Sequence, residues 1–157
     1  MRKLQNVIDD WRRTIDESYR ALGAISDAEA GAHTHGPEKW STKQVLGHLI
    51  DSAANNHQRF VRLLEASDLS LPKYAQEHWV RSQGYQDEPW PELLNLWRAY
   101  NHHLAHVAAR VPEEMLGHTC RVGDDEPVTL QFLIEDYVDH LKNHLATIPD
   151  LQPRVGR

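Results

Sequence analysis

The sequence predicts an all-α fold, a four-helix bundle, on three observations. Four stretches repeat apolar residues at steps of three or four, each is bounded by residues that start or stop helices, and no comparable stretch alternates with period two. In the first, Leu4, Ile8, Trp11, Ile15, Tyr19 and Leu22 share one face, and Gly23, Ser26 and Asp27 end the pattern. The second opens at Ser41, whose hydroxyl can cap a helix while Gln44 reaches back in a capping box. Val45, Leu49, Ala53, Phe60 and Leu64 mark its apolar side. The third follows Pro89 and Pro91, whose missing N–H groups do no harm at a helix start, and carries Leu93, Trp97, Tyr100, Leu104, Val107 and Val111 before Pro112. The fourth is capped by Thr129, runs through Leu130, Leu133, Ile134, Tyr137, Leu141, Leu145 and Ile148, and is stopped by Pro149.

Length and composition bound what these helices can serve. A chain of 157 residues suits a single domain, expected to span 1–157. The formal charge of −6, from 17 basic and 23 acidic side chains, leaves no broad basic surface for nucleic-acid phosphates. Cys120 is the only cysteine, so an internal disulfide and a Cys-rich zinc site are both excluded, and a reducing cytoplasm is the expected setting. Charges interrupt the apolar residues of the N-terminal stretch, and no segment approaches the roughly 18 apolar residues of a membrane span. A soluble, unprocessed protein is expected.

The connection over about residues 67–88 is long. At roughly 3.3 Å per extended residue it could reach about 70 Å, against helices on the order of 35 Å long. It therefore permits a crossover and a parallel second and third helix. Its Tyr74, Trp79 and Tyr85, with Trp90 just beyond, make it a candidate for function.

Eleven histidines, spread through the chain rather than gathered in a terminal tag, prompt a search for metal ligands. His140 and His144 stand four residues apart on the fourth helix, so their side chains leave one face about 6 Å apart along the axis. Tyr137, Leu141 and Leu133 lie within roughly 100° of His140, which turns the pair toward the core. Two core histidines bonded to backbone or carboxylate would give the same spacing. His48, at the edge of the second helix's apolar stripe, is the candidate third ligand, with Asp51, Ser52, Asn55 and Arg59 on its polar side; a solvated flank is the plainer reading of that side. Asp51 and Asp136 could orient a ligand imidazole from outside. The third helix carries a rival pair, His102 and His106, with His103 nearer the stripe. His33, His35, His57, His78 and His118 are expected at the surface. Cys120, expected in a loop, has no base at a recognisable spacing. Three neutral imidazoles hold zinc or another divalent transition metal and leave a coordination position open, which permits chemistry. Nothing in the sequence separates zinc from nickel.

The stretch KWSTKQVLGHLIDSAANNHQRF at 39–60, followed by DYVDHLKNHL at 136–145, resembles the DinB-like (YfiT-like) superfamily of metal-dependent enzymes. The Lys-Trp-Ser start, Gly-His-Leu at 47–49 and the closing His-x-x-x-His carry the likeness, which covers most of the chain. The resemblance implies a bundle of up-down-down-up topology with its crossover between helices 2 and 3. It also implies a divalent metal held at one end by His48, His140 and His144, and a homodimer. Its characterised members include bacillithiol S-transferases and mycothiol-dependent enzymes. Three functions follow as expectations. The first is a metal-dependent transferase that activates a low-molecular-weight thiol and passes it to an electrophile, with Asn55, Arg59 and the crossover aromatics holding the remainder. The second is a hydrolase using metal-bound water, with Asp51 as proton acceptor. The third is a non-catalytic metal-binding domain whose site is closed by a fourth protein ligand, for which His106 is the candidate.

Overall fold

Single hydroxyls and prolines set the helix boundaries. Ser41 accepts from the backbone N–H of Gln44 while the Gln44 side chain accepts from the backbone of Ser41, and Thr129 accepts from the N–H of Phe132. Each satisfies a first-turn donor that has no partner inside its helix. The computed structural model describes residues 2–151; Met1 and residues 152–157, the ends of the expected domain, lie outside the described residues.

Four long helices result: α1 (Leu4–Gly23), α3 (Thr42–Glu65), α5 (Trp90–Ala109) and α6 (Leu130–Leu145). Two short helices lie between them, α2 (Asp27–Gly31) and α4 (Gln76–Ser82). Side-chain ties fix the directions. Lys43 near the start of α3 donates to the Glu88 carbonyl just before α5 (2.7 Å), and farther along both helices His57 Nδ1 lies 2.8 Å from the Tyr100 hydroxyl. The two helices therefore run parallel. Against α5, α1 runs in reverse: Trp11 Nε1 donates to Asn101 Oδ1, and Tyr19 Oη, two turns later on α1, donates to the earlier Asn95. The start of α1 lies beside the first half of α6, where Gln131 donates to the Arg2 carbonyl, and Lys142 farther along α6 pairs with Asp10 at 2.7 Å. The order is up-down-down-up.

The crossover is more ordered than its sequence announces. β1 (Leu69–Leu71) pairs in parallel with β2 (Thr119–Val122), and β2 pairs antiparallel with β3 (Val128–Thr129). Strands this short show no alternation, which is why period two is absent from the sequence. Cys120 is not in a loop but buried in β2, opposite Leu69 and Val128. A 3-10 turn at Tyr85–Asp87 then leads into α5.

Trp11, Trp97, Phe60, Leu104 and Ile134 are fully buried where the long helices meet. Asn101 is a buried polar residue among them. Its side-chain carbonyl accepts from both Trp11 Nε1 (3.3 Å) and the Tyr137 hydroxyl (2.6 Å), tying α1, α5 and α6 at mid-bundle. Paired in this way, a buried amide avoids the desolvation penalty that an unpaired one would carry.

Candidate metal centre

Because α3 and α6 run in opposite directions, the first turns of α3 meet the last turns of α6. His48 therefore faces His140 and His144. Ring centroids lie 5.3 Å (His48 to His140), 4.7 Å (His48 to His144) and 4.4 Å (His140 to His144) apart. One ring nitrogen from each lies within 4.8 Å of the other two. His48 is fully buried, and His140 and His144 are partly buried.

Among the described residues, neither ring nitrogen of His48 has a hydrogen-bond partner. Buried polar atoms are almost always paired, and leaving one bare is costly. A metal on one of these nitrogens would give that atom a partner, so the donor set fits the ion that its residue types suggest. The electrostatics agree. Burial, reinforced by the neighbouring His144 and His140, lowers the pKa of His48 to about 4. Burial also lowers His140, against the opposing charge of Asp136, and lowers His144 with help from His140. All three imidazoles keep a lone pair for a metal at neutral pH.

Through His144 the cluster borders a cavity of about 630 Å³, lined also by Trp40, His35, Glu38, Lys39 and Glu77, among others. Trp40, from the Lys-Trp-Ser motif, lies 5.1 Å from the His48 ring at 39°. Sequence reasoning missed Trp40, Glu38 and Glu77 as part of the mouth and left His35 as an ordinary surface residue. Only the motif around Trp40 offered a signal, because the other three come from segments without periodicity.

Asp51 is buried rather than on a solvated flank, with 2% of its surface exposed. The segment after α4 covers it. Its Oδ1 accepts from the Tyr85 hydroxyl (2.6 Å) and from Gln83 Nε2 (2.7 Å), while Oδ2 has no partner among the described residues. The expected bond from Asp51 to a ligand imidazole is replaced by these two. Three residues beyond His48, Asp51 is turned roughly 60° around the helix, toward the crossover. Burial raises its pKa, against the two hydrogen bonds that favour the carboxylate. Asp136 is exposed and acts on His140 through its charge.

Asn55 and Arg59 stand farther along α3. Asn55 donates to the Asp51 carbonyl (2.9 Å) and Arg59 to the Pro72 carbonyl (3.3 Å). Both line a second cavity, beside Tyr74 and Trp79, which shares no lining residue with the mouth of the histidine cluster. The rival histidines are elsewhere. His102 Nε2 meets Asp16 at 2.9 Å, and His106 stacks against His103. His106 is no closing ligand: it sits roughly 24 Å along α5 from Trp90, at the far end from His48. His118 Nδ1 contacts the Leu63 carbonyl at 2.6 Å, satisfying an acceptor that the end of α3 leaves open.

Comparison with known proteins shows the family and the fold. The family model of the DinB superfamily matches residues 10–148. A protein of Oceanobacillus iheyensis named "Putative metal-dependent hydrolase" is 23% identical over 90% of this chain and 83% of its own. The solved structure of YfiT from Bacillus subtilis, described as "a probable metal-dependent hydrolase with an unusual four-helix bundle topology", superposes with a TM-score of 0.83 at 19% identity, covering 94% of this chain and 85% of that one. A mycothiol-dependent maleylpyruvate isomerase superposes with a TM-score of 0.79 at 14% identity, covering 96% of this chain and 62% of that one.

Proposed function

The chain belongs to the DinB superfamily, and from that premise we propose that it is a metal-dependent enzyme acting on small molecules, with zinc or nickel held by His48, His140 and His144. The observation that carries this reading is a fully buried His48 with both ring nitrogens unpartnered among the described residues, in a three-imidazole cluster beside an open cavity. A divalent metal there would supply a Lewis acid able to make a thiol or a water molecule more acidic.

In our first reading the reaction is an S-transfer. A low-molecular-weight thiol enters the Trp40 cavity, its sulfur forms a bond to an electrophilic carbon, the leaving group departs with the electron pair, and the thiol proton passes to solvent. Three protein ligands leave room for such a sulfur, and the fold is shared with a mycothiol-dependent enzyme. Trp40, Val45 and Ile148 give the cavity an apolar wall. Lys39, at the rim, can hold an anionic group of the thiol. The second reading is hydrolysis, favoured by the relatives' names and by nearby carboxylates. Glu77 and Glu38 line the cavity, and Asp51 keeps Oδ2 free to accept a proton.

Metal-loaded protein separates the two. With a thiol such as cysteine and an activated aryl halide, S-transfer predicts chelator-sensitive thioether formation that is lost in His144→Ala. Chelator-sensitive cleavage of amides or esters without thioether formation would favour the hydrolase. The absence of both activities would overturn the enzymatic reading.

A further inference from the structure

On the other side of α4 from the cluster's mouth lies a cavity of about 390 Å³, within the size range of small-molecule sites. Its walls concentrate positive charge. Arg59 and Arg62 come from α3, and Lys73 from the crossover; none of the lining residues is acidic. The chain as a whole is negative, at −6, so this local excess of cations runs against the composition. Lys73 is already engaged, pairing with Asp125 at 2.9 Å.

Arg59 is the informative member. It is partly buried, and among the described residues its one hydrogen bond is to the Pro72 carbonyl. No carboxylate among the described residues pairs with it or with Arg62. A desolvated guanidinium without a counter-charge is unfavourable, and Arg59 offers most of its planar fork of donors to whatever enters. Opposite it, Tyr74 and Trp79 form an aromatic corner, with centroids 5.2 Å apart at 64°. Asn55 adds an amide to the same wall.

We propose that this cavity is a second small-molecule site, which takes an anion joining a planar ring to a carboxylate or phosphate. The ring packs on Trp79 and Tyr74, and Arg59, backed by Arg62, holds the anionic group in charge-assisted hydrogen bonds. The site stands independently of the metal centre, since the two cavities have no lining residue in common. It is nevertheless mechanically close to it. Gln83 Nε2 donates both to the Trp79 carbonyl (3.0 Å) and to Asp51 Oδ1 (2.7 Å), one turn beyond His48.

The test titrates the full chain with phenyl phosphate, benzoate, inorganic phosphate and phenol, following the Trp79 indole N–H by NMR, assigned through Trp79→Phe. The proposal expects saturable shifts with phenyl phosphate or benzoate, the better of the two identifying the anionic group. It also expects weaker binding of inorganic phosphate and of phenol. Arg59→Gln should weaken binding by about tenfold or more, which is about 1.4 kcal/mol, and Arg59→Lys by less. His144→Ala should leave it unchanged, so that a failure of the metal reading and a failure of this one are told apart. If Arg59→Gln does not fold, the exposed Arg62→Gln should still weaken binding severalfold. Phenol binding as tightly as phenyl phosphate, no saturation with either anion, or undiminished affinity in folded Arg59 and Arg62 variants would overturn it.

Discussion

His48 occupies a position that ordinarily excludes a bare imidazole, and its protonation carries a consequence for the metal-free protein. In the unfolded chain it takes a proton near 6.5, but in the fold only near 4. Its folded pKa is depressed, so the stability it confers is complete above pH 6.5 and is lost as pH falls toward 4. At about 1.36 kcal/mol per pH unit the loss amounts to roughly 3 kcal/mol. Urea unfolding of metal-free protein at a series of pH values should show this decline, and His48→Gln should make it shallower, leaving the part that His140 and His144 contribute in the same direction. An equally steep decline in the variant would assign the effect to other groups. Gly47, the neighbouring residue, makes a second prediction. A Cβ there would clash with the Tyr85 ring, whose hydroxyl holds Asp51. Gly47→Ala should therefore destabilise the protein by about 1–3 kcal/mol through overpacking, despite alanine's better helix propensity. A variant as stable as the parent would show that Tyr85 yields at no cost.

Caps and connections decide where the elements lie. Ser41 starts α3 and also donates to Gln86 Oε1 (2.6 Å), joining the helix start to the end of the crossover. Ser41→Ala removes both interactions and should cost about 1 kcal/mol or somewhat more. A shift in the urea midpoint measures it; an unchanged midpoint would mean that neither interaction contributes. The sequence made the long helices legible because Ser41, Thr129, Pro89 and the apolar spacing are local signals. The crossover was legible only as long and aromatic. Its strands are held by pairing of β1 with β2 about fifty residues away, its α4 is too short for periodicity, and both depend on contacts that no local pattern records. The same distance effect explains Asp51. Its polar-flank reading was sound for an isolated α3, and the covering segment changed it into a buried carboxylate.

The arrangement of the whole bundle turns separate histidines into a site. Spacing makes His140 and His144 a pair, and amphipathic position makes His48 a partner of unstated location. The three meet because the up-down-down-up order sets the start of α3 beside the end of α6. Among the described residues no helix is long and apolar enough to cross a membrane. The same order separates His106 from the cluster, and it places Arg59 in a cavity of its own rather than at the cluster's mouth. Elemental analysis of the purified full chain tests the central claim most directly, comparing it with the His140→Ala, His144→Ala double variant after both are shown by circular dichroism to be helical. The account predicts stoichiometric zinc or nickel in the parent and a loss of nearly all of it in the variant. The same metal content in both would contradict it.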